Sequence, residues 1–305
     1  MQNSTFTYDA IIVGAGPAGV SCAVWLARLG FAPALVDAAD AVGGLCRNNP
    51  FEDTWNVSLP GVTGDQVAQN LARSLQMAGV TPFLQWPVRA VLPQDGGGFL
   101  VQGQTGKPVL ESRFVVLASG VLARGLSGYR PLSDDPGEPW PGVLVGPGQR
   151  IASQDFAGQR VAVLGGGDNA FENALFALDR GAQSVKVFAR TVRAQQQFVN
   201  RLPAGALVNG SCQVDPVLRR VNDSEFDLIL VLYGWEPNVG FAQNLNLQRT
   251  PRGYVSTQFD TAETSCPGVF AVGEVASRQH PCVVTAMADG VTAAKAIQSR
   301  LELSA

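Results

Sequence analysis

Two short glycine-rich turns constrain this chain more than any other feature. The first, Gly14-Ala15-Gly16-Pro17-Ala18-Gly19, follows an apolar run at Asp9–Val13 that reads as a buried strand. It opens an apolar helix over Val20–Leu29, and a second strand, Ala34–Asp37, ends on an acid. A GxGxxG between a strand and a helix, with an acid about twenty residues on, is the fingerprint of a dinucleotide-binding βαβ unit. Gly14 permits the tight turn, and Gly16 lets backbone amides approach a pyrophosphate. Gly19 lets the helix pack on the strand, and the helix amino terminus supplies unpaired N–H groups and partial positive charge. Asp37 stands where a ribose hydroxyl would be held.

The pattern recurs. Val161–Leu164 reads as a strand, Gly165-Gly166-Gly167-Asp168-Asn169-Ala170 as a GxGxxA turn, Phe171–Leu178 as a helix and Ser184–Phe188 as the next strand. At the end of that strand, where a ribose 2′-OH calls for an acid, stand Ala189 and Arg190, with Arg193 close behind. Arginine there pairs with a 2′-phosphate, so NADPH is favoured over NADH. The fold class is therefore α/β, with two Rossmann-like dinucleotide-binding domains. A length of 305 residues accommodates two such domains, each with its own core.

Composition narrows the partners. Hydrophobic residues at 46% and charged residues at 15% describe a globular chain, and a formal charge of −3 argues against nucleic acid. A locally basic stretch, Arg180, Lys186, Arg190, Arg193, Arg201, Arg219 and Arg220 against Asp179 and Asp215, reads either as a solvated face or as a site for a phosphate or acidic partner. No signal-like segment and no membrane-length apolar run are present, and Cys22, Cys46, Cys212, Cys266 and Cys282 show no CxxC spacing. The expectation is a cytoplasmic protein without disulfides, membrane anchor or metal site.

Further segments extend the pattern: Gly43-Gly44 after the acid strand, Leu59-Pro60-Gly61 before an amphipathic helix at Gln66–Ala78, and Ala118-Ser119-Gly120. Then come Tyr233-Gly234-Trp235-Glu236-Pro237-Asn238 and Pro267-Gly268-Val269-Phe270-Ala271-Val272-Gly273-Glu274. With the two glycine turns, these resemble, in order, the motifs of the low-molecular-weight thioredoxin reductase group of flavoproteins, over nearly the whole chain. The resemblance implies an FAD domain built from residues 1–120 and 240–305, with a nicotinamide domain of 121–239 inserted on a two-stranded hinge. It implies homodimers, and domains that rotate so that nicotinamide and substrate take turns at the flavin. FAD would contact Gly14, Gly16, Pro17, Ala18, Gly19, Asp37, Gly44, Ala118, Gly120, Gly273, Glu274, Cys282 and Val283. The nicotinamide cofactor would contact Gly165, Gly167, Asp168, Asn169, Ala170, Arg190 and Arg193. Glu274 is one methylene longer than the family's Asp. The helix read at Cys282–Arg300 would aim its amino terminus at the pyrimidine edge of the flavin, where reduced flavin is anionic.

One family feature is missing. The redox CxxC and its acid fall, by ungapped count from Gly165, on Gly148, Ile151 and Ala152, and 142–156 contains no cysteine. A dithiol needs two sulfurs within bonding reach. The expected activity is therefore NAD(P)H:acceptor oxidoreduction through FAD, with an unidentified acceptor. The alternatives are electron transfer of the ferredoxin–NADP reductase kind, reduction of a small disulfide through Cys46, or a flavin protein whose second nucleotide site is non-productive. The segment Gly43-Gly44-Leu45-Cys46 resembles the GGxC of larger disulfide reductases, but Phe51 stands at the second cysteine position. Cys46 reads either as a lone redox thiol or as a small filler under the ribityl chain. His280, the only histidine, precedes Cys282 by two residues and reads either as a proton relay to the flavin or as a loop-shaping residue. Cys282 is the remaining candidate near the flavin.

Overall fold

The computed structural model describes residues 6–49, 52–126 and 140–303. The chain divides into two compact units, Met1–Val121 with Pro237–Ala305, and Leu122–Glu236. The first begins with β1 (Tyr8–Val13), α1 (Pro17–Arg28), β2 (Pro33–Val36), α2 (Gly64–Met77), β3 (Val88–Pro93), β4 (Phe99–Gly103) and β5 (Val109–Leu117). The second contains β6 (Val143–Val145), β7 (Arg160–Leu164), α3 (Asp168–Asp179), β8 (Ser184–Ala189), β9 (Leu207–Asn209) and β10 (Leu228–Val231). The chain then returns to the first unit with β11 (Val269–Ala271) and α4 (Val283–Glu302).

In the first unit β2, β1, β5 and β11 run parallel, with Ile12 opposite Leu35 and Val116, and Phe270 opposite Val116. The β3–β4 hairpin continues this sheet antiparallel from the start of β5. Alternation sorts the strand residues between two cores. Ile12, Val116 and Phe270 pack with α1, α2 and α4, while Ile11, Val115 and Val269 face the other side with Val91, Phe99 and Val101. The second unit is built on a parallel five-stranded sheet in the order β9-β8-β7-β10-β6, with a small antiparallel sheet at residues 214–225. Val161 and Val163 meet Phe171 and Ala174 of α3, and Ala162, Leu164 and Ile229 meet Phe188 and Phe226. Near-continuous apolar runs are what parallel strands buried on both faces require.

Both cradle helices begin three residues earlier than their apolar runs suggest, at Pro17 and Asp168 rather than Val20 and Phe171. Each helix starts inside its glycine motif. Proline at the first helical position costs nothing there, because its missing N–H has no partner to lose. The early start matters, since it brings the free amides of the first turn to the glycine turn itself.

Helices α1 and α4 touch backbone to backbone. A Cβ on Gly290 would lie 2.3 Å from the Ala18 carbonyl oxygen and 2.8 Å from the Cys22 nitrogen. Beside this contact, Ser21 Oγ donates to the Met287 carbonyl at 2.8 Å. Gly290→Ala therefore sets two effects against each other. Alanine gains about 1 kcal/mol of helix propensity, but overpacking against rigid backbone costs about 1–3 kcal/mol. The clash is with main chain, so the variant is expected to be destabilised by about 1–2 kcal/mol in chemical denaturation.

Candidate functional site

At the carboxyl ends of the first unit's parallel strands, four segments converge, as ligand sites in open α/β sheets do. After β1, Gly14 has φ +113°, and a Cβ on it would meet the Ala118 oxygen at 2.3 Å. A Cβ on Gly19 would lie 1.9 Å from the Gly14 oxygen. These two glycines are closed in by backbone. Gly16 is different: only the Gly44 Cα comes within 4 Å of a Cβ placed there, at 3.9 Å. Gly44, at φ +55°, faces Gly16 in turn, and Gly43 N donates to the Ala15 oxygen at 2.9 Å. Gly16 and Gly44 thus meet backbone to backbone, with no side chain between them.

Asp37, just past β2, accepts from Ala15 N at 2.5 Å and from Ala39 N at 2.8 Å. Its carboxylate fixes the glycine turn while retaining lone pairs for a ribose hydroxyl. Past β5, Ala118 N donates to the Val13 oxygen, and Gly120, at φ +64°, accepts from Asn238 N at 3.0 Å. Past β11 lies Gly273, at φ +70°, where a Cβ would come 3.0 Å from the Ala18 Cβ. Glu274 follows it. Burial alone pushes its carboxyl above the usual range, and among the described residues none hydrogen-bonds it. A half-buried acid with open acceptors beside a glycine turn suits the hydroxyl-bearing chain of a dinucleotide.

A pocket next to this turn is lined by Gly273, Glu274, Arg278, Pro281, Cys282 and Asp289, among others. Cys282 caps α4: its Sγ accepts from Thr285 N at 3.5 Å, and Thr285 Oγ1 donates to the His280 oxygen at 2.6 Å. The amides of Val283 and Val284 open the helix and have no intrahelical partner. Cys282 is exposed and lines the pocket. His280 is also exposed but lies outside the lining, and its carbonyl accepts from Thr285 Oγ1.

Cys46 sits in a 3-10 turn, Gly44–Asn48, and only 8% of its surface is exposed. Burial, helped by the charges of Asp53 and Glu274, pushes its thiol up to about 11. At neutral pH it is a protonated, packed sulfur. Cys22 is more extreme, pushed to about 12 by burial in α1. Phe51 lies outside the described residues.

The second unit repeats the geometry with a different lock. A Cβ on Gly165 would meet the Leu232 oxygen at 2.3 Å and one on Gly166 the Thr191 oxygen at 2.1 Å, while Gly167 has nothing within 4 Å. The open glycine again stands at the helix start. Asp168 accepts from Gln195 N at 2.7 Å and Gln195 Nε2 at 3.1 Å, and the Gly166 oxygen accepts from Arg193 N at 2.6 Å. The loop after β8 is thereby latched to the glycine turn. Asn169 accepts at its carbonyl from Asn173 Nδ2 at 2.7 Å, and Ala170 is buried against the strand. Arg190 and Arg193 are exposed, and no ion pair joins either to an acid among the described residues. Asp168 therefore serves the loop that carries the arginines, a role its place in the motif did not announce.

Two features escaped the sequence reading. Glu172, one turn beyond Asp168, is a half-buried acid whose carboxyl is raised by burial and by the Asp168 charge. Arg278 and Asp289 form a buried ion pair beside Gly273. The available signal was a lone acid, Asp289, on the apolar side of α4.

Two open glycine turns, each at the start of a helix and each supported by the carboxyl edge of a parallel sheet, define an oxidoreductase of the two-nucleotide type. The chain belongs to the pyridine nucleotide-disulphide oxidoreductase family, whose pattern matches residues 8–290. That family is FAD-dependent and uses NAD(P)H. The ferredoxin–NADP reductase of Limosilactobacillus fermentum is 30% identical over 293 residues, covering 88% of this chain and 85% of that protein. The thioredoxin reductase of Mycolicibacterium smegmatis is 27% identical over 324 residues, covering 96% of each. Among solved structures, the thioredoxin reductase of Lactococcus lactis matches with a TM-score of 0.79 at 24% identity, over 96% of this chain and 98% of that one. The protein is thus a flavin-dependent oxidoreductase with the thioredoxin reductase-like fold. The cradle residues fit FAD: no side chain covers Gly16 at the start of α1, so the free amides of that helix are open to a pyrophosphate, and Asp37 and Glu274 offer acceptors to its hydroxyls. Among the described residues no helix is long and apolar enough to cross a membrane.

The thiols give a direct check on these surroundings. In the folded protein Cys282 is expected to react with an alkylating reagent at pH 8 well before Cys46, whose reactivity should rise only as pH approaches 11. Mass mapping of alkylated peptides after timed quenching reads the order, and equal rates would show that Cys46 is open to solvent.

Proposed function

We propose that this protein is an FAD-dependent NADPH oxidoreductase whose flavin passes electrons directly to an external acceptor, a ferredoxin-like redox protein being the favoured class. The observation that carries this reading is the state of the cysteines. All five are free, and Gly148 and Ile151 stand where the family's redox pair falls. With no internal dithiol to relay them, electrons leave from the flavin. Likeness to a ferredoxin–NADP reductase supports the same acceptor class.

FAD is assigned to the Gly14 cradle and NADPH to the Gly165 cradle. Bound FAD supplies a ring that accepts a hydride and releases electrons. The chain's own residues bind and orient it. Gly16 and the first amides of α1 take the pyrophosphate, and Asp37 takes the adenosine ribose. Glu274 takes the ribityl hydroxyls, and the first amides of α4, at Val283 and Val284, face the ring's pyrimidine edge. Gly167 and the start of α3 take the NADPH pyrophosphate, and Arg190 and Arg193 take its 2′-phosphate. His280 shapes the loop before α4 through its carbonyl, and Cys46 is a packing residue. Disulfide reduction through Cys46 is the weaker reading, because its thiol stays protonated at neutral pH.

Purified protein is expected to be yellow, and anaerobic dithionite titration to consume about two electrons per FAD, as the flavin alone accepts. Consumption of four, with a cysteine pair as the sink, would refute direct transfer. Arg190→Ala is expected to weaken NADPH binding by about tenfold or more, since a charge-assisted contact contributes roughly 1.5–3 kcal/mol. NADH should be little affected. Equal losses for both nucleotides would place Arg190 in the fold rather than at the 2′-phosphate.

A further inference from the structure

The pocket beside α4 has two walls, the Gly273–Glu274 turn and the helix entrance at Cys282 and Thr285. On the reading above, the first wall holds the ribityl chain and the second faces the pyrimidine edge of the ring. Their separation fixes how the ring lies.

One buried ion pair joins them. Arg278 Nε donates to Asp289 Oδ1 at 3.0 Å, and the two side chains are 6% and 7% exposed. Asp289 stands two turns inside α4, and its other oxygen accepts from Gly273 N at 3.1 Å. Arg278, four residues past Glu274, reaches outward as well. Its Nη1 donates to Thr257 Oγ1 at 2.9 Å and to the Gln258 oxygen at 2.6 Å, and its Nη2 to the Phe259 oxygen. A guanidinium presents several donors in a rigid plane, so these bonds lock loop 257–259, the α4 entrance loop and Asp289 into one arrangement. The last link is the backbone N–H adjoining Glu274.

Stability alone is a poor reason for such a pair, because apolar residues of similar volume often serve a buried site equally well. Its geometry gives a better one. Gly273, at φ +70° and wedged against Ala18, joins the glycine cradle to the acid turn, and Asp289 holds that residue's amide. We propose that Arg278 and Asp289 are positioning residues that set the flavin's orientation, by fixing the Gly273–Glu274 turn against the amino terminus of α4. The proposal rests on the assignment of FAD to the Gly14 cradle.

The test separates positioning from folding. The double variant Arg278→Met/Asp289→Leu removes both charges together and leaves no lone charge, but it also strips Gly273 N and loop 257–259 of their partners, so its denaturation midpoint should fall modestly while the chain still folds. Its FAD affinity should fall by about tenfold or more, the effect of losing one or two ligand contacts. The absorption spectrum and reduction potential of the bound flavin should shift as well. Asp289→Asn keeps the volume but offers one oxygen to two donors. It is expected to weaken FAD binding severalfold and to move the potential in the same direction, which keeps the test decisive should the double variant not fold. Variants that match wild type in FAD affinity, spectrum and potential would overturn the positioning role, whatever their stability. A folded wild-type chain that takes up no FAD would instead overturn the cradle assignment, and this proposal with it.

Discussion

At Gly290 the backbone of α4 lies directly on the backbone of α1, with the Ala18 carbonyl oxygen 2.3 Å from where a side chain would start. Two helices that approach this closely cannot slide, because any shift drives main chain into main chain. The consequence is felt at their amino termini. One opens at Gly16-Pro17 beside the glycine turn, and the other opens at Cys282 beside the pocket. Both ends carry free amides and partial positive charge. Holding them at a fixed separation keeps two helix starts with free amides in one set arrangement. Ser21 and Asp289 refine the register, the first by bonding across the helix pair and the second by reaching back to Gly273.

The two cradles solve the same problem by different local means. In the first, the acid past β2 bonds the glycine turn from outside, through Asp37 to Ala15 N. In the second, the acid sits in the turn itself, and Asp168 holds the following loop through Gln195. The position past the second strand is then available to Arg190. Asp168 keeps that loop seated through both the backbone and the side chain of Gln195.

Much of this was legible in the chain. Gly14, Gly19 and Gly165 are required by close backbone approach, so a motif with correct flanks carries its own physics. Apolar runs such as Asp9–Val13 and Val161–Leu164 announced parallel strands for the same reason. The helix starts were misplaced by three residues, because hydrophobic periodicity sees the buried face and not the first, partly open turn. Arg278 and Asp289 were missed for a different cause. They lie eleven residues apart, in a loop and a helix, and nothing in local spacing says that they meet. The role of Asp168 was hidden likewise, since Gln195 lies 27 residues away. The burial of Cys46 was not legible either, because burial is a tertiary property.

Glu274 carries a further implication. An acid whose carboxyl is raised by desolvation alone makes the ligand-free fold less stable as pH rises through that raised value, because the unfolded chain ionises freely. At neutral pH the empty protein therefore bears an electrostatic penalty at the spot where a hydroxylated ligand would relieve it. Ligand binding to the native state alone adds stability by mass action, and here it also removes a cost already present. The empty cradle is then the less stable form of the chain, and occupancy by a hydroxylated ligand shifts the balance toward the native state.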